Sequence, residues 1–198
     1  MTVDDAPGGP RDDDMTVPEA EPAVAVELFG DRIELARSFT AELVARGEEL
    51  GLIGPLEPSR IWSRHILNCV LLSPLLRPGV VGDVGSGAGL PGLVLAIARP
   101  DVEFVLIEPM ERRVEWLTSE VARLGLANAT VLRARAEEAS LDRRLDQVTA
   151  RAVSALSKLI PITAPLVRKA RLTDIEIVVL GEGIVPEATR VFRATVGL

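Results

Sequence analysis

The sequence predicts an α/β fold with a doubly wound, parallel sheet, and three observations support that prediction. β-branched segments alternate with helical segments from Val80 onward, which is the pattern of βα units. The first strand, Val80–Val84, runs directly into a glycine-rich turn and a helix. The candidate site residues follow the ends of successive strands, and the carboxyl ends of parallel strands meet at one edge of a sheet. We therefore expect a single ligand site at that edge.

Most of the negative charge lies at the N-terminus. The chain has 198 residues and a net charge of −7, and residues 1–22 contain seven acidic residues against one basic residue. That segment is also rich in Pro and Gly and has few large apolar residues, so we predict an acidic disordered tail over 1–22. The remainder, 23–198, is nearly neutral and its length favours a single domain. The overall negative charge therefore does not exclude a nucleic-acid partner.

The composition excludes several other classes of protein. A single cysteine, Cys69, rules out an internal disulfide framework and suits the reducing cytoplasm. With one cysteine and one histidine, the sequence offers no cluster of metal ligands. No apolar run approaches the ~20 residues that a membrane span needs, and Asp4 and Asp5 stand where a signal peptide carries basic residues. We expect a cytoplasmic monomer without a membrane segment or a metal ion.

Residues 24–76 are predicted to form a helical extension. Apolar residues repeat at helical spacing within Val24–Gly47, the loop Gly51–Pro58 follows, and a second helix is predicted over Arg60–Leu72. The second helix carries His65, the only histidine, beside Asn68. Two roles stay open for His65: a hydrogen-bonded structural residue, or part of the wall of a substrate pocket.

The α/β core is predicted over 80–198. Short apolar runs predict strands and 3.6-residue periodicity predicts helices, and two prolines, Pro161 and Pro165, are expected to bend or interrupt the last helix. The predicted strands are Val80–Val84, Val102–Glu108, Ala129–Leu132, Gln147–Ala150 and Ile175–Leu180, and the predicted helices are Leu90–Ala98, Glu111–Leu124 and Leu156–Lys169.

Four glycines, Gly85, Gly87, Gly89 and Gly92, follow the first strand within eight positions. Glycine lets the backbone turn sharply and approach a ligand closely, and the helix that follows presents free N–H groups at its N-terminus. An ordinary turn between a strand and a helix does not need so many glycines. This turn is therefore predicted to form one wall of the ligand site.

The spacing of these glycines leaves two ligand classes open. Gly87–Gly92 matches the Gly-x-Gly-x-x-Gly pattern of dinucleotide-binding proteins. The wider segment Asp83–Gly89 resembles the first motif of S-adenosylmethionine (SAM) methyltransferases. Glu108, at the end of the second strand, can accept hydrogen bonds from both ribose hydroxyls in either class. The glycines and this acid alone do not choose between the two.

Four segments resemble the RsmG family, also called glucose-inhibited division protein B. The segments are Arg64–Asn68 (Arg-His-Ile-Leu-Asn), Asp83–Gly92 (Asp-Val-Gly-Ser-Gly-Ala-Gly-Leu-Pro-Gly), Arg135–Glu137 (Arg-Ala-Glu) and Thr149–Val153 (Thr-Ala-Arg-Ala-Val). The resemblance implies a Rossmann-like class I SAM-dependent methyltransferase with SAM as its cofactor. It also implies that the partner is 16S rRNA or the small ribosomal subunit and that the methyl acceptor is guanine N7.

The resemblance further assigns site residues. Arg151 would be the catalytic residue, orienting the substrate, and the substrate-binding residues would be Arg64, His65 and Asn68. No general base is expected, because guanine N7 reacts through a lone pair that carries no proton. The implied cofactor-binding residues are Gly85, Ser86, Gly87, Gly89, Leu90, Glu108, Ala136, Glu137 and Arg151. A methyltransferase of another RNA or of a small molecule, and an NAD-binding Rossmann protein, are the alternatives.

The chain departs from the family pattern in two places. The segment Gly51–Leu56 replaces the Trp-Asn…Asn-Leu-Thr segment of many relatives. Near 168–175 a strand, a loop and a helix of the family pattern are missing. Either a stretch is omitted from this sequence, or the protein has lost part of its RNA-facing rim. We favour an omission, because loss of a strand would expose the edges of its neighbours.

Overall fold

A four-stranded parallel sheet forms the centre of the structure, a computed structural model that describes residues 17–151, 156–167, 176–180 and 189–193. The strand order is β3-β2-β1-β4, and every neighbouring pair is parallel. This arrangement confirms the predicted α/β class. The strands are β1 (Val80–Val84), β2 (Glu103–Ile107), β3 (Ala129–Leu132) and β4 (Gln147–Ala150).

The order of the strands places a topological switch at β1. The chain passes from β1 to β2 and β3 on one side and then returns to β4 on the other side. Connections that leave a parallel sheet in opposite directions open a crevice at the carboxyl ends of the two strands involved. The crevice here lies between β1 and β4, which pair from Val81↔Gln147 to Val84↔Ala150.

The described residues form six α-helices beside the strands. The extension contains three of them, and the other three follow β1, β2 and β4 along the chain. They are α1 (Val24–Phe29), α2 (Ile33–Arg46), α3 (Asn68–Val70), α4 (Gly92–Ala98), α5 (Glu111–Arg123) and α6 (Leu156–Thr163). Pro161 lies inside α6, and Pro165 lies in the 3₁₀ turn Ala164–Leu166 that follows it.

Two predicted helices have a different form. The helix predicted over Val24–Gly47 is divided into α1 and α2 by the 3₁₀ turn Gly30–Arg32, where Gly30 has a φ of 51°, a backbone angle that glycine adopts without strain. The helix predicted over Arg60–Leu72 is π-helical over Ile61–Leu67 before α3 begins. The spacing of apolar residues indicates a helix but does not distinguish an α-helix from a π-helix. The wider turns of π-helices are frequent at functional sites.

Both faces of the sheet are covered by apolar side chains. In β1, Val81 belongs to a large cluster with the extension helices and α4. Val80 and Val84 belong to a second cluster with Leu145 and Leu166 on the opposite face. Alternate residues of a strand point to opposite faces, so β1 is buried along its whole length. The extension therefore shares its core with the sheet.

The last predicted strand does not extend the parallel sheet. β5 (Glu176–Leu180) pairs antiparallel with β6 (Thr189–Arg193), which the sequence analysis did not predict, and together they form a separate two-stranded sheet. Periodicity indicates a strand but not its partner. The segment 168–175, where the family pattern is interrupted, lies outside the described residues.

The described part of the predicted tail contacts the extension. Residues 1–16 lie outside the described residues. The Glu21 carboxylate accepts hydrogen bonds of 2.6 and 2.7 Å from Arg37, and Glu19 Oε2 accepts one of 2.9 Å from the Ser63 backbone N–H. An acidic composition predicts solvation, but it does not identify acids that have arginine or backbone partners.

Candidate functional site

The glycine-rich turn lies at the carboxyl end of β1. Gly85, Gly87 and Gly89 have φ angles of 70°, 55° and 92°, the left-handed region that favours glycine. The backbone N–H of Gly85 donates to Ile107 O at 2.8 Å, at the end of β2. Ser86 is buried, and its hydroxyl donates to Asp83 O at 2.8 Å. The turn is therefore anchored to the ends of β1 and β2.

The space around these glycines differs from one position to the next. A Cβ atom on Gly87 would meet only Gly85 O, at 3.7 Å, whereas a Cβ on Gly89 would lie 2.4 Å from Leu93 Cδ1. The side of the turn at Gly87 is thus open to a ligand. The side at Gly89 packs against α4, together with the half-buried Leu90.

The Asp83 carboxylate connects this turn to the neighbouring elements. Its carboxylate is fully buried, Oδ2 accepts from the Gly92 N–H at 3.0 Å, and Oδ1 accepts from Thr149 Oγ1 at 2.9 Å. Burial raises the pKa of Asp83 to about 6, although the bonds from Thr149 and Gly92 favour the ionised form. Asp83 therefore joins β1, the start of α4 and β4.

Glu108 occupies the end of β2, where the sequence predicts a ribose acceptor. It is 2% exposed. Its Oε2 accepts from the Gly87 N–H at 2.9 Å and its Oε1 accepts from the Met110 N–H at 3.0 Å. Each carboxylate oxygen offers about two lone-pair sites, so Glu108 keeps acceptor capacity for a ligand while it fixes the open side of the turn.

Ala136 and Glu137 lie in a 3₁₀ turn beyond β3. Ala136 is buried and Glu137 is exposed. Both line a cavity of about 470 Å³, whose other walls include Leu141, Arg144 and Ile162. Apolar walls with a few polar groups are typical of small-molecule sites, and this turn follows the third strand of the same sheet edge.

Arg151 and His65 meet where β4 ends. Arg151 Nη2 lies 2.8 Å from His65 Nδ1 and 3.5 Å from Arg64 O, and Arg151 Nη1 lies 3.5 Å from Cys69 Sγ. His65 Nε2 lies 2.5 Å from Glu57 Oε2. The predicted substrate residue His65 and the predicted catalytic residue Arg151 are therefore in direct contact, in keeping with the adjacency of Val84 and Ala150 in the sheet.

The other two predicted substrate residues are neighbours of His65. Arg64 lies in the same π-helical segment, and Asn68 begins α3 directly after it. Arg64 is half-buried and its Nε lies 3.4 Å from Glu57 Oε2. Asn68 is 8% exposed, and its amide Nδ2 donates to Arg64 O at 2.9 Å. Asn68 thus supports the helix backbone next to Arg151.

Comparison with known proteins decides between the two ligand classes. The family model GidB, rRNA small subunit methyltransferase G, matches residues 32–173. The chain belongs to this family. Because this is a family of methyltransferases, membership in it excludes the dinucleotide-binding alternative that the Gly87–Gly92 pattern left open.

Curated members of the GidB family align with nearly the whole chain. The Ribosomal RNA small subunit methyltransferase G of Clavibacter michiganensis subsp. michiganensis is 62% identical over 203 residues, covering 90% of this chain and 96% of that relative. The protein of the same name from Leifsonia xyli subsp. xyli is 60% identical, covering 90% and 97%. The alignment has 203 positions but includes only 90% of this 198-residue chain, so some positions pair a residue of the Clavibacter relative with a gap in this chain. The Clavibacter relative therefore carries residues that have no counterpart here.

Among solved structures, the chain is similar to the precorrin-6y C5,15-methyltransferase of Geobacter metallireducens GS-15. The TM-score is 0.45 and the sequence identity is 17%, and 59% of each chain is covered.

Three residues of this candidate site were not predicted. Asp83 carried a signal, an acid at the end of the first strand, although it was quoted only as part of the motif. Thr149 stands at the end of β4 and could have been found in the same way. Glu57 carried no local signal, because its contact with His65 depends on how the loop before the π-helical segment folds.

The described residues offer neither a metal site nor a membrane span. They contain no group of three or more His, Cys, Asp or Glu residues that could hold a metal ion. They also contain no helix that is both long enough and apolar enough to span a membrane.

Proposed function

We propose that this protein transfers a methyl group from S-adenosylmethionine to N7 of a guanine in the 16S rRNA of the small ribosomal subunit. Membership in the rRNA small subunit methyltransferase G family supports the reaction and the substrate class. In the structure, the main support for the proposal is that three features lie at one edge of the parallel sheet. The turn Gly85–Gly89, the Glu108 carboxylate and Arg151 all follow the carboxyl ends of neighbouring strands.

The residues at this edge fit SAM. Glu108 is a buried acceptor with lone pairs left for ribose hydroxyls. The space beside Gly87 would be filled by any side chain, so the glycine leaves it for a ligand. The cavity at Ala136 and Glu137 offers apolar walls and an acid for an adenine ring. We assign the cofactor to Gly85, Ser86, Gly87, Gly89, Leu90, Glu108, Ala136 and Glu137, with Arg151 at its reactive end.

The chemistry asks for orientation more than for proton transfer. SAM supplies a methyl group that is already activated by a positively charged sulfur. The N7 lone pair of guanine carries no proton, so the protein needs no general base. Holding two reactants in line can lower a barrier by roughly 7–11 kcal/mol in favourable systems. We assign that role to Arg151, which can contact guanine O6 or a phosphate and leave N7 free.

The proposal extends to the surroundings of the reaction. Arg64, His65 and Asn68 stand beside Arg151 and form the substrate side of the site. An rRNA substrate supports a cytoplasmic location, which we include in the proposal. We propose that it acts as a monomer and without a metal ion, which light scattering and an assay in the presence of a chelator would test.

Methyl incorporation tests the function directly. The full chain is incubated with radiolabelled SAM and with small ribosomal subunits, naked 16S rRNA or free nucleosides. We expect label in the subunit or its rRNA and none in nucleosides, and we expect the product to be N7-methylguanosine, identified by nucleoside chromatography. Label in nucleosides alone would favour a small-molecule methyltransferase, and a product methylated elsewhere would contradict the N7 assignment.

Variants of Arg151 separate substrate orientation from cofactor binding. Arg151→Ala should lower single-turnover methylation far more than SAM affinity, and Arg151→Lys should restore little, because an ammonium lacks the planar fork of the guanidinium. If methylation and SAM affinity fall in equal proportion, Arg151 serves the cofactor. If neither changes, Arg151 is a structural residue.

A further inference from the structure

A line of contacts runs from Glu57 through His65 to Arg151. The two nitrogens of one imidazole ring are both engaged: Nε2 with Glu57 Oε2 at 2.5 Å and Nδ1 with Arg151 Nη2 at 2.8 Å. Glu57 lies in the loop before the π-helical segment, His65 within it, and Arg151 just after β4. The line therefore connects the helical extension to the reactive edge of the sheet.

The partners determine where the imidazole proton is. A guanidinium only donates hydrogen bonds, so His65 Nδ1 must accept from Arg151. A carboxylate only accepts, so the ring must donate from Nε2 to Glu57. The two contacts are satisfied together only by the neutral ring with its proton on Nε2. A second proton, on Nδ1, would face the Arg151 guanidinium at hydrogen-bonding distance.

We propose that Glu57 and His65 are positioning residues that hold Arg151. Glu57 selects the Nε2–H form of His65, and the unprotonated Nδ1 of that ring holds the Arg151 guanidinium at the end of β4. This inference rests on the proposed function, in which Arg151 orients the substrate. In this inference His65 acts on the substrate by holding Arg151, and it does not itself contact the RNA.

The surrounding charges act on His65 in opposite directions. Burial lowers the pKa of His65 below its ordinary 6.5, the bond with Glu57 raises it, and the cations Arg151 and Arg64 lower it. Glu57 is shared with Arg60, whose Nη2 lies 2.6 Å from Oε1, and Cys69 Sγ lies 3.5 Å from Arg151 Nη1. Glu19 approaches the same segment from the N-terminal side, at the Ser63 N–H. The net result is a neutral ring at physiological pH.

His65 is the chain's only histidine, so one imidazole spectrum reports on it without assignment. In ¹⁵N-labelled full chain, long-range ¹H–¹⁵N correlations should show the Nε2–H form and a titration midpoint below that of a free histidine. Arg151→Ala should raise the midpoint, because a cation beside Nδ1 is lost. Glu57→Gln should lower it, because an anion beside Nε2 is lost. An Nδ1–H form in the wild type, or a midpoint that Arg151→Ala leaves unchanged, would overturn the inference.

Activity distinguishes positioning from simple packing. His65→Asn keeps a carbonyl acceptor near the position of Nδ1, whereas His65→Leu keeps only bulk. We expect His65→Leu to reduce single-turnover methylation on the order of 100-fold, the scale of a misplaced catalytic group, and His65→Asn to recover most of it, with SAM affinity unchanged in both. Equal loss in the two folded variants would overturn the inference. Thermal unfolding of each checks folding, and the imidazole titration decides if His65→Leu does not fold.

The pH profile provides a separate readout. Wild-type single-turnover methylation should fall as pH drops through the His65 midpoint, and His65→Asn should lose that part of the fall. Asp83 also titrates near this range, but it is present in both proteins and cancels in the comparison. An identical acid limb in both would overturn the inference. A wild type that methylates no rRNA would overturn the proposed function instead, since the imidazole titration reports the Arg151 contact independently of activity.

Discussion

At the scale of single residues, the buried carboxyl group of Asp83 should make stability depend on pH. Its pKa is raised from 3.8 to about 6 in the folded protein, so the folded state binds the proton more tightly than the unfolded state. The stabilising effect is complete below 3.8 and is lost as pH rises through about 6.

The isosteric variant Asp83→Asn isolates this effect. We subtract the free energy of unfolding of Asp83→Asn from that of the wild type. This difference should fall by about 2 kcal/mol as the pH rises from about 4.5 to about 7.5. Urea unfolding at a series of pH values measures it. A difference that stays constant, or that grows with pH, would show that Asp83 is not protonated more readily in the folded state.

Glu108 is expected to serve both the cofactor and the glycine turn. Glu108→Ala removes a buried acceptor of the Gly87 and Met110 N–H groups, and it should weaken SAM binding by roughly 1–3 kcal/mol, the scale for hydrogen bonds to a charged group. Titration calorimetry measures the affinity. Glu111→Ala, at an exposed acid three positions further on that pairs with Arg133, is the matched control and should bind SAM normally. Unchanged affinity in Glu108→Ala would remove Glu108 from the site.

At the scale of elements, the two sides of the glycine turn should respond differently to substitution. Gly87→Val places its side chain in open space, although the positive φ at this position strains a β-branched residue. The protein should therefore lose some stability but still fold cooperatively, and it should lose SAM binding. Gly89→Ala places a methyl group against Leu93 at a position that also has a positive φ, so overpacking and backbone strain together should destabilise the fold by roughly 1–3 kcal/mol or more.

Calorimetry with SAM and thermal unfolding should be carried out on both glycine variants. A folded Gly87→Val protein with normal affinity would contradict the assignment of the open side to the cofactor. A Gly89→Ala protein as stable as the wild type would contradict the close packing of the turn on α4.

At the scale of the whole molecule, the helical extension and the sheet should unfold together. Leu43 in α2, Trp62 in the π-helical segment and Trp116 in α5 belong to one core cluster. The two tryptophans are the only ones in the chain, so Trp62→Phe and Trp116→Phe each leave a single fluorescent reporter. Within each variant, the fluorescence and far-UV circular dichroism transitions in urea should coincide.

A core substitution in the extension extends this test. Leu43→Ala should lower the stability reported by both tryptophans by about 2–5 kcal/mol. If only the Trp62 signal shifts, the extension is a separate folding unit. The exposed residue Val26 in α1 offers a control position, where Val26→Ala should change stability little.

Much of the site could be predicted because it depends on local pattern. The strand Val80–Val84 and the glycines after it form a continuous segment, and its turn has the positive φ angles that the glycines imply. Glu108, predicted as the last residue of the second strand, lies immediately beyond β2. The π-helical form of the His65 segment and the break at Gly30 were not predicted, because apolar spacing tolerates a shift of one residue per turn.

By itself, the sequence determined the α/β class and the family, and it predicted the edge of the sheet where the candidate site residues lie, since each depends on residue types at short spacing. Only the tertiary structure decided the partners of the charged and polar groups. Asp83 meets Thr149 across 66 positions of the chain, and Arg151 meets His65 across 86. Such contacts depend on strand order and on how the extension packs, and the physical reason they escape sequence patterns is that burial, not adjacency, brings these groups together.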